Sequence, residues 1–372
     1  MNIFTADTTS LKIIRLIRRG AGLRLARTDV TQADDFDVAY MQLHKLGIGR
    51  LCNVLNIGET DPLCVIVTKA RARKRCKGLR CVIRRHPRCK HPFLEVAPAN
   101  ANCPNTLIPT DGRLYVEAPE SIVVSMASRL SKYVRQKKYS EERAVLMLLK
   151  LCLELCGTYS HDPLDPWNGE VTYGTEPVMS AESLKEVVEG LSKVPGLPLA
   201  RKVLSLVYNN SGSPEESFMG HALFGSSAYG GLDLGAFEAN KALDISAEQL
   251  RVITERRIRP DLSMEAYKLA IEFKGKKHEQ GDNPQKDRVR SLDYQTLGWR
   301  EFAFWYSDVR TRGLFNASAS RIVAALENYE GPTVRRRFER LISDPSFSEL
   351  QDTVLEVFRP WLRDGANECK SV

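Results

Sequence analysis

The chain has 372 residues, of which 43% are hydrophobic and 27% charged, a composition typical of a water-soluble protein of two or three domains. Its net charge of +8 and pI near 9.0 favour a polyanionic partner over an acidic membrane patch. We find no apolar run of membrane-spanning length and no signal-peptide pattern, so we expect a cytoplasmic protein without a membrane partner. The nine scattered cysteines indicate reduced thiols rather than disulfides.

Residues 1–130 are predicted to form a small α+β domain. Residues 7–10 (DTTS) are rich in helix N-cap residues, and apolar residues at helical spacing follow, which predicts a helix over about 8–19. A second helix is predicted over 34–47. The β-rich runs at 63–67 and 79–83 predict two short strands.

The strongest charge signal lies between Lys69 and Lys90, where eleven Lys or Arg residues occur without an acid. Such a block can contact several phosphates, with an affinity that falls steeply as salt is added. The alternative is a solvated hairpin whose basic edge discourages edge-to-edge pairing. The candidate nucleic-acid-binding residues here are Arg71, Arg73, Lys74, Arg75, Lys77, Arg80, Arg84 and Arg85.

Cysteines and histidines in the same region have irregular spacing. They contain no paired C-x-x-C unit, and both histidines precede proline, so buried or strand cysteines explain them more simply than zinc ligation. We therefore do not expect a zinc site. The residues concerned are Cys76, Cys81, His86, Cys89, His91 and Cys103.

After this hairpin, residues 111–120 (DGRLYVEAPE) read as a turn, a strand and the start of a helix. This order over about residues 60–130 resembles the C-terminal part of the abortive-infection type IV antitoxin family. The resemblance implies an interaction or regulatory module and a protein partner from a toxin–antitoxin or defence system. It implies no catalytic residues.

Residues 131–210 are predicted to be a helical connecting region. Ser140 is placed to begin a helix whose apolar residues share one buried face. These residues are Leu146, Leu149, Leu153 and Cys156. The polar segment 209–213 is predicted to be a linker, so we place the start of the next domain at 211.

Pro260-Asp261 is followed, after ten residues, by Glu272-Phe273-Lys274. On a strand, alternate side chains share a face, so Glu272 and Lys274 are expected to project together while Phe273 enters the core. Asp261 is expected to close a preceding strand. Carboxylates suit Mg²⁺, which can activate water and polarise a phosphoryl oxygen. Lys274 could orient or deprotonate that water. The alternative is a surface hairpin with scattered charges.

Flanking motifs occur in a consistent order, namely SPEESF at 213–218, GKKH at 275–278, KDRVR at 286–290 and LGWREFAFW at 297–305. Together they resemble the PD-(D/E)XK nuclease superfamily, in particular its branch similar to the very-short-patch-repair endonuclease, over residues 211–312. Lys274 stands where many relatives of that branch carry Asp. The resemblance implies hydrolysis of phosphodiester bonds with Mg²⁺, or alternatively Mn²⁺. It also implies that Glu216, with Glu215 as the fallback, joins Asp261 and Glu272 as a metal ligand.

Downstream of Lys274, the further candidate nucleic-acid contacts are Lys276, His278 and Arg290. His278 could instead assist the leaving group, bind in the metal's shell or be a surface-turn histidine. A helix is predicted over 284–297. For Arg290, the alternative to a phosphate contact is a structural ion pair with Asp287. A strand over 300–305 is expected beside the Glu272 strand. A closing helix over 315–329 and a helical tail over 331–372 complete the chain.

The predicted fold class is mixed α/β. A restriction-endonuclease-like core with a mixed sheet flanked by helices occupies 211–330, after the smaller α+β domain and the helical segment. The first functional hypothesis is a Mg²⁺-dependent nuclease, with DNA favoured over RNA as its substrate. The second is an inactive nuclease fold that binds nucleic acid or a partner as an antitoxin-like or regulatory module. The third is an unrelated α/β protein, which would be supported if Asp261 and Glu272 lay far apart.

Overall fold

The structure is a computed structural model. It describes residues 2–31, 49–58, 60–67, 75–76, 78–83, 91–100, 112–275 and 284–358. The helix expected over 34–47 lies outside these ranges.

The described helices are α1 (Asp7–Arg18), α2 (Gly49–Val54), α3 (Pro119–Arg135), α4 (Glu141–Cys156), α5 (Ala181–Gly190), α6 (Leu197–Val203), α7 (Pro214–Phe224), α8 (Pro284–Thr296), α9 (Arg312–Glu330), α10 (Thr333–Ile342) and α11 (Pro345–Phe358). The described strands are β1 (Ile3–Phe4), β2 (Leu23–Arg27), β3 (Leu63–Val67), β4 (Arg75–Cys76), β5 (Leu79–Ile83), β6 (Phe93–Pro98), β7 (Leu114–Glu117), β8 (Tyr159–Ser160), β9 (Thr172–Tyr173), β10 (Glu238–Ala239), β11 (Leu262–Met264), β12 (Leu269–Lys274) and β13 (Arg300–Trp305).

The protein is a mixed α/β protein with several small mixed sheets flanked by helices. Its chain forms two compact units. The first contains residues 1–139 and 159–205, and the second contains residues 140–158 and 206–372. No helix in the described ranges is long and apolar enough to cross a membrane.

The first unit is built on a four-stranded sheet of order β1-β7-β6-β2 and a three-stranded sheet of order β3-β5-β4. A single bridge between Thr5 and Val65 connects them. Phe4 packs against Phe93 at 5.0 Å between ring centroids and stacks on Tyr115 at 4.6 Å. These rings come from three neighbouring strands, so the apolar alternation of the strands directly creates the core of this unit.

The second unit contains the four-stranded sheet of order β10-β11-β12-β13. β11 and β12 form an antiparallel hairpin, and β13 runs parallel to β12, beside the strand predicted to carry Glu272. The chain passes through α8 between β12 and β13, as a parallel connection requires a crossover. The strand expected over 300–305 is therefore confirmed.

α4 belongs to the second unit, so the structure groups the chain differently from the predicted regions 1–130, 131–210, 211–330 and 331–372. Lys150 on α4 donates to the carbonyl of Val357 on α11 at 3.2 Å. Arg143 pairs with Glu356 at 2.6 Å. α4 thus contacts the chain's last described helix, a long-range contact that local sequence does not reveal.

The polar segment 209–213, expected to be a linker, is instead anchored. The amide of Asn210 donates to the carbonyl of Cys156 at 3.1 Å, and that of Thr158 donates to the carbonyl of Ser211 at 2.8 Å. Ser211 is fully buried, and its hydroxyl lies 2.8 Å from that of Ser217 on α7. This segment therefore fixes the start of α7 rather than separating two domains.

We predict that Gly220→Ala destabilises the unit that carries α7. A Cβ at Gly220 would lie 2.1 Å from the hydroxyl of Tyr208, which is itself held at 3.1 Å from the carbonyl of Glu216. Such overpacking should lower the free energy of unfolding by about 1–3 kcal/mol in urea denaturation. The control is Gly313→Ala, whose Cβ would meet nothing within 4 Å. Equal effects of the two substitutions would contradict the prediction.

Candidate active site

The β11–β12 hairpin brings Asp261 and Glu272 together. Leu262 pairs with Ile271, and the same register one residue further places Asp261 opposite Glu272. Directly opposed residues on antiparallel strands project from the same face, with Cβ atoms about 5 Å apart. The amide of Phe273 donates to Oδ2 of Asp261 at 2.7 Å and holds this carboxylate at the hairpin end.

Asp261 lies at the start of β11, so the expectation that it closes a preceding strand is wrong. The chain reverses through a 3₁₀ turn at Glu265–Tyr267, followed by Lys268 in a left-handed conformation with φ of 52°. In an antiparallel hairpin, the start of one strand meets the end of the other. The two carboxylates therefore converge by a different topology from the one expected.

Glu272 is buried, with 5% of its surface exposed, and α8 surrounds its carboxylate with donors. Oε1 accepts hydrogen bonds from Nε of Arg290 at 3.2 Å and from Nη2 at 2.9 Å. The hydroxyl of Tyr294, which is fully buried, donates to the same oxygen. All three hydrogen bonds go to Oε1, so none of them occupies Oε2, the second oxygen of the carboxylate.

Lys274 is as buried as Glu272, whereas Phe273 between them is only half-buried. The expectation that Phe273 would be the core residue of this strand end is therefore wrong, because α8 covers the opposite face. Nζ of Lys274 donates to Oδ1 of Asp287 at 3.0 Å and lies 3.8 Å from Oε1 of Glu301. The ammonium is thus held by two acids on the Glu272 side of the sheet.

Glu216 reaches the same region from α7. Ser213 caps this helix by accepting from the amide of Glu216 at 3.0 Å, as its position before Pro214 favours. Oε2 of Glu216 accepts from the amide of Gly212 at 2.7 Å and from the side-chain amide of Asn240. The backbone amide of Asn240 in turn donates to the backbone carbonyl of Asp261 at 3.1 Å, so Asn240 links the two acids.

Electrostatic coupling shows which acids face one another. Burial, followed by repulsion from Glu216, raises the pKa of Asp261, and burial likewise raises the pKa of Glu216. Burial and repulsion from Asp261 raise the pKa of Glu272 to about 7, although Arg290, Tyr294 and Lys274 partly offset this rise. Asp261 is therefore the shared neighbour of the other two carboxylates.

Glu215, the fallback for Glu216, is also half-buried. Burial raises the pKa of Glu215, and hydrogen bonds at the start of α7 and attraction to Lys150 oppose the rise. Glu216, by contrast, acts directly on Asp261 and raises its pKa. Of the two neighbouring acids, Glu216 is therefore the one that faces the site.

The donor chemistry of Asp261 and Glu272 fits a hard divalent cation. Two opposed carboxylates that repel each other are stabilised by a cation between them, and Mg²⁺ often binds through one or two carboxylates with water completing its shell. As arranged, however, the described residues contain no group of three His, Cys, Asp or Glu side chains that could hold a metal ion. The role of Glu216 as a third ligand stays a prediction.

In the structure, Asp287 and Arg290 pair with different residues. Asp287 pairs with Lys274, and Arg290 pairs with Glu272 at 2.9 Å and with Glu255 at 3.9 Å. The alternative of an Asp287–Arg290 pair is therefore not what holds these residues. Sequence reasoning missed Asn240 and Glu255, which no motif marks, and gave no role to Glu301 within the run 297–305. Tyr294 carried a signal, because it shares a helical side with Arg290 and Asp287.

Most of the predicted nucleic-acid contacts fall outside the described residues, namely Arg71, Arg73, Lys74, Lys77, Arg84, Arg85, Lys276 and His278. Arg75 lies on β4, and Arg80 lies exposed on β5 of the first unit. Of the candidate zinc ligands, the structure describes the side chains of Cys81 and His91. Cys52, Cys64, Cys81, Cys152 and Cys156 form no disulfide.

Comparison of the chain with protein-family models, with curated proteins and with solved structures gives no match. Its assignment therefore rests on the residues and their geometry.

We predict that Asp261→Asn stabilises the metal-free protein at alkaline pH. An acid with a raised folded-state pKa binds its proton more tightly when folded, so its contribution to stability falls as pH rises from its unfolded value through about 7. The substitution should raise the free energy of unfolding by about 1–2 kcal/mol at pH 8, from about 1.4 kcal/mol per pKa unit, discounted for partial exposure.

At pH 4 the gain should shrink, because the Asp261 carboxyl is then protonated in the folded state and about half protonated in the unfolded state. Urea unfolding at the two pH values in the presence of EDTA measures the effect. Asp244→Asn, an exposed acid of the same unit, is the matched control. A loss of stability at pH 8 from Asp261→Asn would show that the carboxylate is a net structural contact.

Proposed function

We propose that the protein is a metal-dependent nuclease that hydrolyses phosphodiester bonds, with DNA as the expected substrate. The observation that carries the proposal is the hairpin end, where Asp261 lies opposite Glu272 with Lys274 two residues further on the same face. Two opposed acids beside a buried lysine are costly to maintain unless the charge has a use.

The order of elements around this hairpin supports the proposal. α7 carries Glu216, β11 and β12 carry the acid pair and Lys274, α8 follows, and β13 closes the mixed sheet parallel to β12. This is the order implied by the resemblance to the PD-(D/E)XK superfamily. We therefore also propose that residues 211–330 contain a restriction-endonuclease-like core.

Asp261 and Glu272 are the residues that would hold Mg²⁺ or Mn²⁺, with Glu216 as a candidate third ligand. When bound, such an ion supplies Lewis acidity toward a phosphoryl oxygen and an activated water. Tyr294 and Arg290 orient the Glu272 carboxylate through Oε1. Asn240 and Gly212 orient Glu216, so each acid has a fixed position before substrate arrives.

Lys274 is assigned the task of positioning the attacking water and stabilising negative charge on the phosphorane. Its ammonium is held by Asp287 at 3.0 Å, and Asp287 is half-buried. A substrate phosphate that approaches Lys274 must compete with this acid. Arg290 is the second cation near the acids, and a phosphate contact by Arg290 would similarly compete with Glu272.

A second candidate function is nucleic-acid binding without cleavage, by an antitoxin-like or regulatory module. It is favoured by the fact that the acids and the lysine already have protein partners. Glu272 is held by Arg290 and Tyr294, and Lys274 is held by Asp287. A site whose groups satisfy one another can persist as structure alone.

We predict that Mg²⁺ raises the melting temperature of the wild-type protein more at pH 8 than at pH 6. Metal binding requires the ionised carboxylates, and burial with repulsion from Asp261 raises the pKa of Glu272 to about 7. Asp261→Asn should abolish most of the increase, and Asp244→Asn should retain it. Equal shifts in all three proteins would indicate nonspecific binding and contradict the assigned ligands.

We predict cleavage of plasmid, linear or single-stranded DNA, or of RNA, in the presence of Mg²⁺ or Mn²⁺. Asp261→Ala and Lys274→Ala should each lower the rate by at least about a hundredfold, because the first removes a proposed ligand of the metal ion and the second removes the ammonium that stabilises the phosphorane. Lys268→Asn removes an equal charge at the turn of the same hairpin and should leave the rate unchanged.

Circular dichroism and thermal melting of each variant establish that it is folded. Salt-sensitive binding of nucleic acid without cleavage under either metal would replace the nuclease proposal with the binding function. Cleavage that survives both substitutions would place the active site elsewhere or reveal a contaminating nuclease.

A further inference from the structure

The first unit contains a cleft of about 420 Å³ that the catalytic proposal does not use. β5 contributes Arg80 and Val82, α1 contributes Asp7, and α3 supplies the remaining side chains. The α3 residues are Ser125, Ser128, Arg129, Lys132 and Tyr133. Their spacing places them on one side of the helix, so α3 presents a continuous polar stripe to the cleft.

The cleft has a distinct charge pattern. Three cations, Arg80, Arg129 and Lys132, face one carboxylate, Asp7, among the described lining residues. Their formal charges leave +2, which matches a dianionic phosphate monoester rather than the single charge of a phosphodiester. A volume of this size accommodates a small phosphorylated ligand.

Asp7 prepares the two guanidinium groups. Its Oδ2 lies 3.3 Å from Nη2 of Arg129 and 4.0 Å from Nη2 of Arg80, so one buried acid holds donors from a helix and a strand. The backbone of Asp7 is left-handed, with φ of 48°, and its amide donates to buried Glu117 at 2.9 Å. An acid residue in this unfavourable conformation is fixed by its surroundings.

Two serine hydroxyl groups also line the cleft. Ser125 lies buried on the α3 wall, and Ser128 lies nearer the surface on the same stripe. Arginine and hydroxyl donors are the groups that recognise phosphate oxygens, and the planar guanidinium allows two parallel hydrogen bonds. Lys132 is exposed at the rim and is therefore placed to meet an arriving anion first.

We propose that this cleft binds a phosphate monoester group, either the phosphate of a free mononucleotide or the phosphorylated end of a nucleic-acid strand. The site is independent of the metal-dependent site, since all of its residues belong to the first unit. It requires a terminal phosphate, which distinguishes it from a basic surface that attracts any polyanion.

The test uses the full-length protein in EDTA, so that cleavage does not consume the probes. Calorimetry compares AMP, adenosine and inorganic phosphate. Fluorescence anisotropy compares a single-stranded oligonucleotide carrying a 5′-phosphate with the same strand ending in a 5′-hydroxyl. Wild type should prefer at least one phosphorylated ligand over its unphosphorylated counterpart by about fivefold or more.

Lys132→Ala and Arg80→Gln should each remove most of that preference. Arg135→Ala removes an equal exposed charge from the end of α3, outside the cleft lining, and should retain it. Preference for AMP alone identifies a free nucleotide as the ligand, and preference for the 5′-phosphorylated strand identifies a strand end. Absence of both preferences, or an equal loss in Arg135→Ala, would overturn the proposal.

Discussion

The buried carboxylate of Glu272 is the group around which the second unit is arranged. β12 removes it from water, and α8 returns two donors to it through Arg290 and Tyr294. An isolated carboxylate in such a place would cost several kcal/mol, and a guanidinium at 2.9 Å offsets that cost only when its geometry is held. The docking of α8 on the sheet and the ionisation of Glu272 are therefore linked.

The same helix also holds Lys274 through Asp287, so α8 controls both the negative and the positive group of the site. Asp261 is held by a different contact: the amide of Phe273 donates to its Oδ2, and repulsion acts between it and both Glu216 and Glu272. Attraction to Arg290 and Lys274 partly offsets the rise in the pKa of Asp261. A cation bound beside Asp261 would reduce its repulsion with the neighbouring carboxylates, whereas an apolar neighbour would not.

Local periodicity predicted much of this geometry. Alternation correctly placed Glu272 and Lys274 on one face, the helix predicted over 284–297 is present as α8, and β13 lies where it was expected. Spacing could not tell whether Asp261 ended one strand or began the next, because both fit the same intervening length. Polar composition predicted a linker at 209–213, where the backbone is instead hydrogen-bonded to the chain at the end of α4. Such long-range partners leave no local pattern in composition.

The turn at Glu265–Tyr267 has one more consequence, which concerns chain length. It sets how many residues separate Asp261 from Glu272, and the antiparallel register converts that number into a position in space. Because side chains alternate along a strand, a shift of one residue would turn Glu272 and Lys274 toward the opposite face of the sheet. The length of the turn thus fixes which residue lies opposite Asp261. The positions of Glu272 and Lys274 at the hairpin end therefore depend on the length of this turn as well as on the identity of the charged residues.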